Sequence, residues 1–195
     1  MRTALSSRMI LTRIMRPGKT LARPLLIPLL SCLGLAQLPT GEKLAPYYPT
    51  PLTIVERMLD FGELKAGEHM FDLGSGDGRI VIMAAQKYRA DATGVELDSD
   101  LVAASQEKIR QLGLKNARII YGDILKQDYS SANLITVYLL PDSNLKLRPI
   151  LEAQLKKGTR VVAHDFEIGG WTPTKTATIA DDGEGRSHML YLYVR

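Results

Sequence analysis

Residues 71–79 read Phe71-Asp72-Leu73-Gly74-Ser75-Gly76-Asp77-Gly78-Arg79. A short apolar run, 69–73, leads into them and an amphipathic segment, 78–88, leads out, so the glycines occupy a strand-to-helix turn. Gly74, Gly76 and Gly78 permit tight turns and let a ligand approach the main chain. The helix start beyond them offers free N–H groups and a partial positive charge. The spacing differs from the dinucleotide fingerprint G-x-G-x-x-G, because the third glycine arrives one residue early and Arg79 stands in its place. Asp72 lies just ahead of the glycines, where a carboxylate repels a pyrophosphate and suits a ligand carrying an ammonium group.

Outward from this turn, short apolar runs alternate with amphipathic segments. Strands are predicted at 69–73, 92–97, 117–121, 132–140 and 159–166. Helices are predicted at 78–88, from an Asp98 or Ser99 cap to about Leu112, and from Asp142 to about Lys157, the last two stopped by Gly113 and Gly158. Ahead of them, Thr50 and Pro51 read as N-cap and first residue of a helix whose stripe is Ile54, Val55, Met58 and Leu59. Segments 175–180 and 189–194 read as strands flanking Asp181-Asp182-Gly183-Glu184-Gly185. The expected fold is α/β: a Rossmann-like, doubly wound, mostly parallel seven-stranded sheet with a C-terminal antiparallel hairpin.

In such a sheet ligands bind at the carboxyl ends of the strands. Three consecutive strands end there in acids: Asp72, Glu96 in Gly94-Val95-Glu96, and Asp123 in Tyr121-Gly122-Asp123. Glu96 is placed to accept from a ribose diol and Asp123 from an exocyclic adenine amine. With an ammonium on Asp72, the set matches S-adenosylmethionine. The candidate cofactor residues are Asp72, Gly74, Ser75, Gly76, Asp77, Gly78, Glu96 and Asp123. The competing reading makes these acids loop caps, since Asp is common in turns.

Residues 72–78 resemble motif I of class I methyltransferases, and Glu96 resembles the acid after their second strand. A narrower resemblance covers 47–51, 72–79, Tyr138-Leu139-Leu140-Pro141 with 144–149, and His164-Asp165-Phe166. These are similar to bacterial methyltransferase-domain proteins related to the mitochondrial lysine methyltransferases that act on the c-ring protein of ATP synthase and on the adenine nucleotide translocase. The resemblance spans about 46–195. It implies the fold, S-adenosylmethionine as cofactor, methyl transfer, and a protein lysine or another amine as acceptor. A small-molecule or lipid acceptor and a non-catalytic binding module are the alternatives. The chain departs from many amino-methylating relatives, which carry Asn/Asp-Pro-Pro-Tyr after strand four, and nucleobase methylation is correspondingly disfavoured.

Beside the methyl-transfer mouth, Tyr138 is a candidate for orienting the acceptor and His164 for deprotonating it. Tyr47, Tyr48 and Thr50 read either as a lid or as a linker. Arg79, Asp142, Asn144 and Trp171 each have a plain structural alternative. One cysteine, Cys32, permits no intrachain disulfide, and His69, His164 and His188 show no metal-ligand spacing, so no metal site is expected.

The net charge is +4, but residues 1–43 hold seven Lys/Arg and one acid, leaving 18 basic and 20 acidic residues in 44–195. A body of about −2 lacks the basic face of a nucleic-acid binder, and no nucleic acid is expected as partner. The basic leader runs into the apolar stretch 25–36, in the order of a signal peptide. Residues 1–43 therefore read as a targeting or membrane-associating segment, for export or membrane association, with mitochondrial targeting as the alternative. Residues 44–195 form the catalytic domain.

Overall fold

The computed structural model describes residue 41 and residues 44–195; the leader reading of 1–43 lies outside the described residues but for Gly41. The apolar runs become seven strands: His69–Leu73 (β1), Asp91–Glu96 (β2), Ala117–Tyr121 (β3), Leu134–Val137 (β4), Arg160–His164 (β5), Lys175–Ile179 (β6) and His188–Val194 (β7). They form one sheet in the order β3-β2-β1-β4-β5-β7-β6. The first five strands are parallel, and β7 runs antiparallel to both β5 and β6. The order reverses between β1 and β4, which opens a crevice at their carboxyl ends.

Alternation along the strands sorts the core into two layers. Met70, Leu134 and Val162 face one side, packed with helices Leu52–Phe61 (α1), Arg79–Lys87 (α2) and Ser99–Gln111 (α3). Phe71, Ile135 and Val161 face the other, packed with helix Pro141–Gln154 (α4) and the 3₁₀ turn Ile124–Lys126. Among the described residues no helix is long and apolar enough to cross a membrane.

Several boundaries differ from the sequence-based expectation, each for a local reason. Pro51, not Thr50, is the N-cap of α1: its ψ of 142° is extended and the helix starts at Leu52. Strand β4 stops at Val137 rather than continuing to residue 140, because its neighbour β1 turns away into the glycine loop after Leu73. Strand β5 ends at His164 rather than Phe166, because Asp165 adopts φ +58° and breaks the extended run. Helix α4 ends at Gln154, three residues early, where Leu155 becomes extended at ψ 135°. Asp98 does cap α3, its carboxylate accepting from the N–H groups of Asp100 and Leu101.

Gly94 in β2 shows how tightly the crevice wall is packed. A Cβ there would lie 2.5 Å from Ser75 Oγ and 2.6 Å from Ile119 Cδ1. Gly94→Ala is expected to destabilise the protein by roughly 1–3 kcal/mol through overpacking. Urea unfolding checks this as a lowered midpoint at unchanged slope, and an unchanged midpoint would show that the wall yields.

Candidate active site

The crevice gathers most of the residues singled out from sequence. Asp72, Gly74, Ser75, Gly76, Asp77, Glu96, Asp123 and Tyr138 all line one cleft, together with residues 44–50 of the N-terminal strap. Gly78 does not line it. It caps α2 in the left-handed conformation at φ +75°, and a Cβ there would lie 3.0 Å from Ser105 Cβ. The glycine loop is thus divided between cleft-lining residues and a turn-former.

Asp72 sits opposite Gly94 on one side and Thr136 on the other, so neighbouring strands flank it. Its side chain is buried, and Thr136 Oγ1 donates to Oδ1 at 2.7 Å. Burial pushes its carboxyl up to about 7 against the help of that hydroxyl, and the charges of Glu96 and Asp77 push the same way. A carboxylate desolvated in this way favours a cation brought in by a ligand.

Glu96 ends β2 and clamps the loop opposite. Its Oε2 accepts from Gly76 N–H at 2.8 Å, and Oε1 accepts from Leu97 and Asp98 N–H, each at 2.8 Å. Asp123 caps the 3₁₀ turn through Leu125 N–H at 2.9 Å. The loop-cap reading therefore describes part of what these acids do, yet both still face the cleft. Burial pushes the carboxyl of Asp77 up, but the hydrogen bonds and charge of Arg79, with the charge of Lys108, together hold it below its ordinary range. Arg79 grips it with Nη2 at 2.8 Å while Nη1 donates to the Thr50 carbonyl at 2.8 Å, tying the strap to the loop.

The strap lies over the loop at its narrowest point. A Cβ on Gly76 would meet Tyr47 Cε2 at 2.8 Å, so only glycine lets the tyrosine ring settle there. Ser143 donates to the Leu44 carbonyl, and Arg186 to the Tyr48 hydroxyl. This placement accords with a lid rather than a free linker.

His164 does not reach the cleft. It is fully buried behind Tyr138, ring centroids 4.0 Å apart, with Nε2 2.9 Å from His188 Nδ1. Burial holds its imidazole well below the ordinary histidine range. The expectation that it deprotonates an acceptor is therefore corrected. Tyr138 does line the cleft, and burial, reinforced by the Asp165 carboxylate, pushes its phenol up to about 12. A phenol raised in this way stays protonated at neutral pH, which suits hydrogen bonding and not base chemistry.

Other candidates resolve into packing. Trp171 is buried, donates to Glu152 at 2.7 Å and meets Tyr193 edge-on. Asn144 donates to the carbonyls of Phe166 and Glu167, holding the loop after β5. Sequence reasoning missed Thr136, whose position opposite Asp72 is set by strand register, and the pairing of His164 with His188, which no spacing along the chain announces.

Known proteins place this fold among the methyltransferases. The family model described as the ANTKMT methyltransferase domain matches residues 72–175. A protein-lysine N-methyltransferase of Saccharolobus islandicus is 40% identical over 151 residues, 76% of this chain and 92% of that protein. The adenine nucleotide translocase lysine N-methyltransferase of Mus musculus is 33% identical over 146 residues, 74% of this chain, which spans 61% of that protein's length. Among solved structures, an RNA methyltransferase from Salinibacter ruber in complex with S-adenosylhomocysteine is 40% identical with a TM-score of 0.69, covering 75% of this chain and 93% of that one.

S-adenosylhomocysteine, the compound in that neighbour, is the natural probe of the cleft. Glu96→Ala removes the clamp on Gly76 and the carboxylate facing the cleft. Its dissociation constant by calorimetry is expected to rise at least about tenfold, the loss of one or two charge-assisted hydrogen bonds. Wild-type affinity in the variant would remove Glu96 from the binding set.

Proposed function

The chain belongs to the ANTKMT methyltransferase domain family, and we propose that this S-adenosylmethionine-dependent methyltransferase acts on the ε-amine of lysine in a protein. The observation that carries the reading is the 40% identity to the archaeal protein-lysine enzyme across 92% of that enzyme. The lining of the cleft supports it.

When bound, the cofactor supplies an electrophilic methyl group on a sulfonium with a neutral leaving group. The residues of the chain bind, orient and desolvate. Asp72 pairs with the α-ammonium, where its burial makes a cation most welcome. Gly74 and Gly76, both at positive φ, turn the main chain tightly enough to admit the amino-acid portion. Glu96 accepts from the ribose hydroxyls with lone pairs left over from its backbone bonds, and Asp123 and its backbone neighbours meet the adenine edge. Tyr47 and Tyr48 cover the opening and exclude water, which sharpens the charges inside. Tyr138 and Leu139 form the wall toward the acceptor. The Tyr138 hydroxyl remains protonated and accepts from an N–H of an incoming amine, leaving the amine lone pair in line with the methyl group. The lysine enters neutral, its proton left to solvent, so a dedicated base is unnecessary.

A second reading, an RNA acceptor, is favoured by the description of the Salinibacter neighbour. Residues 44–195 carry 18 basic and 20 acidic side chains, and a domain of that balance lacks the counterion-releasing face that phosphate binding needs. Incubating the enzyme with labelled S-adenosylmethionine and a cell extract separates the two. Label is expected in protease-sensitive, nuclease-resistant material, with methyllysine identified by mass spectrometry. Label confined to RNA would overturn the lysine reading. With a protein acceptor, Tyr138→Phe is expected to lower kcat about tenfold, the value of one hydrogen bond, with cofactor affinity unchanged.

A further inference from the structure

We propose that His164, His188 and Asp165 form a binding site for one divalent transition-metal ion of the zinc class, at the carboxyl end of β5 behind Tyr138. The antiparallel pairing that sets His164 against Leu190 brings the start of β7 alongside the end of β5. Two imidazoles separated by 23 residues of intervening chain thereby meet in the interior. His164 is 0% and His188 5% exposed.

Three ligand atoms converge. His164 Nε2 lies 2.9 Å from His188 Nδ1, His164 Nε2 lies 3.4 Å from Asp165 Oδ2, and His188 Nδ1 lies 3.3 Å from the same oxygen. The edges of a tetrahedral zinc site with nitrogen and oxygen ligands at their usual bond lengths are about 3.3 Å. The triangle therefore has the size of three adjacent corners, and the one short edge opens by a few tenths of an ångström.

The surroundings hold these atoms in place. Asp165 holds the left-handed backbone region at φ +58°, uncommon for a residue other than glycine. Its Oδ1 accepts from Met189 N–H at 3.0 Å, which leaves Oδ2 for the histidines. On the far side of the His188 ring, Asp182 Oδ2 sits 3.2 Å from Nε2. Asp182 is fixed in turn by the N–H groups of Glu184 at 2.7 Å and Arg186 at 3.2 Å. A carboxylate on the outer ring nitrogen is the usual support of a metal-binding histidine: it accepts from the ring N–H, which fixes the proton there and leaves the inner nitrogen with a free lone pair.

Counting protons shows how few donors the cluster holds. With His188 donating Nε2–H to Asp182, its Nδ1 is a bare acceptor facing a carboxylate oxygen. One ring proton, on His164 Nε2, then faces both acceptors, with the Tyr138 hydroxyl as the further donor to Asp165. His164 Nδ1 is buried without a hydrogen-bond partner whichever ring nitrogen carries the proton, so it favours neither arrangement. In the other tautomer the triangle holds three lone pairs and no proton. A divalent cation satisfies all three atoms at once, and two imidazoles with one carboxylate suit zinc. The partly exposed Asp165 gives the ion a way in and leaves a fourth position open. An ion here would join the ends of β5 and β7 directly behind Tyr138.

The test uses the full-length, tag-free protein, stripped with EDTA and equilibrated with zinc sulfate. Elemental analysis after gel filtration is expected to give one zinc per chain, and thermal unfolding a midpoint raised by several degrees, since an ion bound to the folded state stabilises it. His188→Gln and Asp165→Asn should each abolish stoichiometric retention. Asp182→Asn should weaken binding about 10–100-fold, as losses of supporting carboxylates do. His69→Gln, at the opposite end of the sheet, should retain the metal. A wild-type protein that takes up no zinc and shows no thermal shift overturns the proposal, whether or not the variants fold. So does zinc uptake that survives both His188→Gln and Asp165→Asn.

Discussion

A carboxylate withdrawn from water needs a counter-charge, and Asp72 lies buried at the point where the strand order reverses. Among the described residues its hydrogen-bond partner is a neutral hydroxyl, Thr136 Oγ1, and its charged neighbours, Glu96 and Asp77, are both acidic. Desolvation and like charge together favour the neutral acid until a cation arrives. The rest of the site follows from that constraint. Flanking strands β2 and β4 keep water from Asp72, and the glycine loop leaves a way for a ligand to reach it. The strap at 44–50 covers the entrance. A site built on an acid without a cationic neighbour selects against pyrophosphates and for zwitterionic amino-acid moieties, which separates this fold member from dinucleotide binders with similar glycines.

The loop is held by backbone geometry more than by side-chain packing. Gly74, Gly76 and Gly78 each sit at positive φ, Glu96 pulls the middle of the loop toward β2, and Arg79 pulls the strap toward its end. Acids that read as ligand contacts in the sequence thus also fix the loop's shape. Carboxylates that already order the backbone would lose little further freedom on meeting a ligand.

Much of this was legible in the chain itself. The glycines at 74, 76 and 78 announce a turn that only they can make, and parallel strands require Asp72, Glu96 and Asp123 to share one edge. The closing strand pair was readable from the turn residues at 181–185. What was not legible depends on register and on where neighbours end. Thr136 meets Asp72 only because Phe71 pairs with Ile135. The meeting of His164 with His188 depends on β7 inserting between β5 and β6, which no local pattern encodes. The expected base at His164 failed for the same reason: its position at a strand end was right, but Tyr138 and His188 pack against its ring and close it off. Thr50 looked like a cap, yet the extended Pro51 took that place.

Whether Asp72 receives the cation of the cofactor is decided most directly by its ionisation, which carbon-13 NMR of the aspartate carboxyls can follow through a pH titration. In the ligand-free protein this carboxyl should titrate near pH 7, and saturating S-adenosylhomocysteine should move its midpoint down by at least about one unit, the linkage expected when an ammonium pairs with it. A midpoint that is the same with and without the ligand would mean that the buried acid does not receive it.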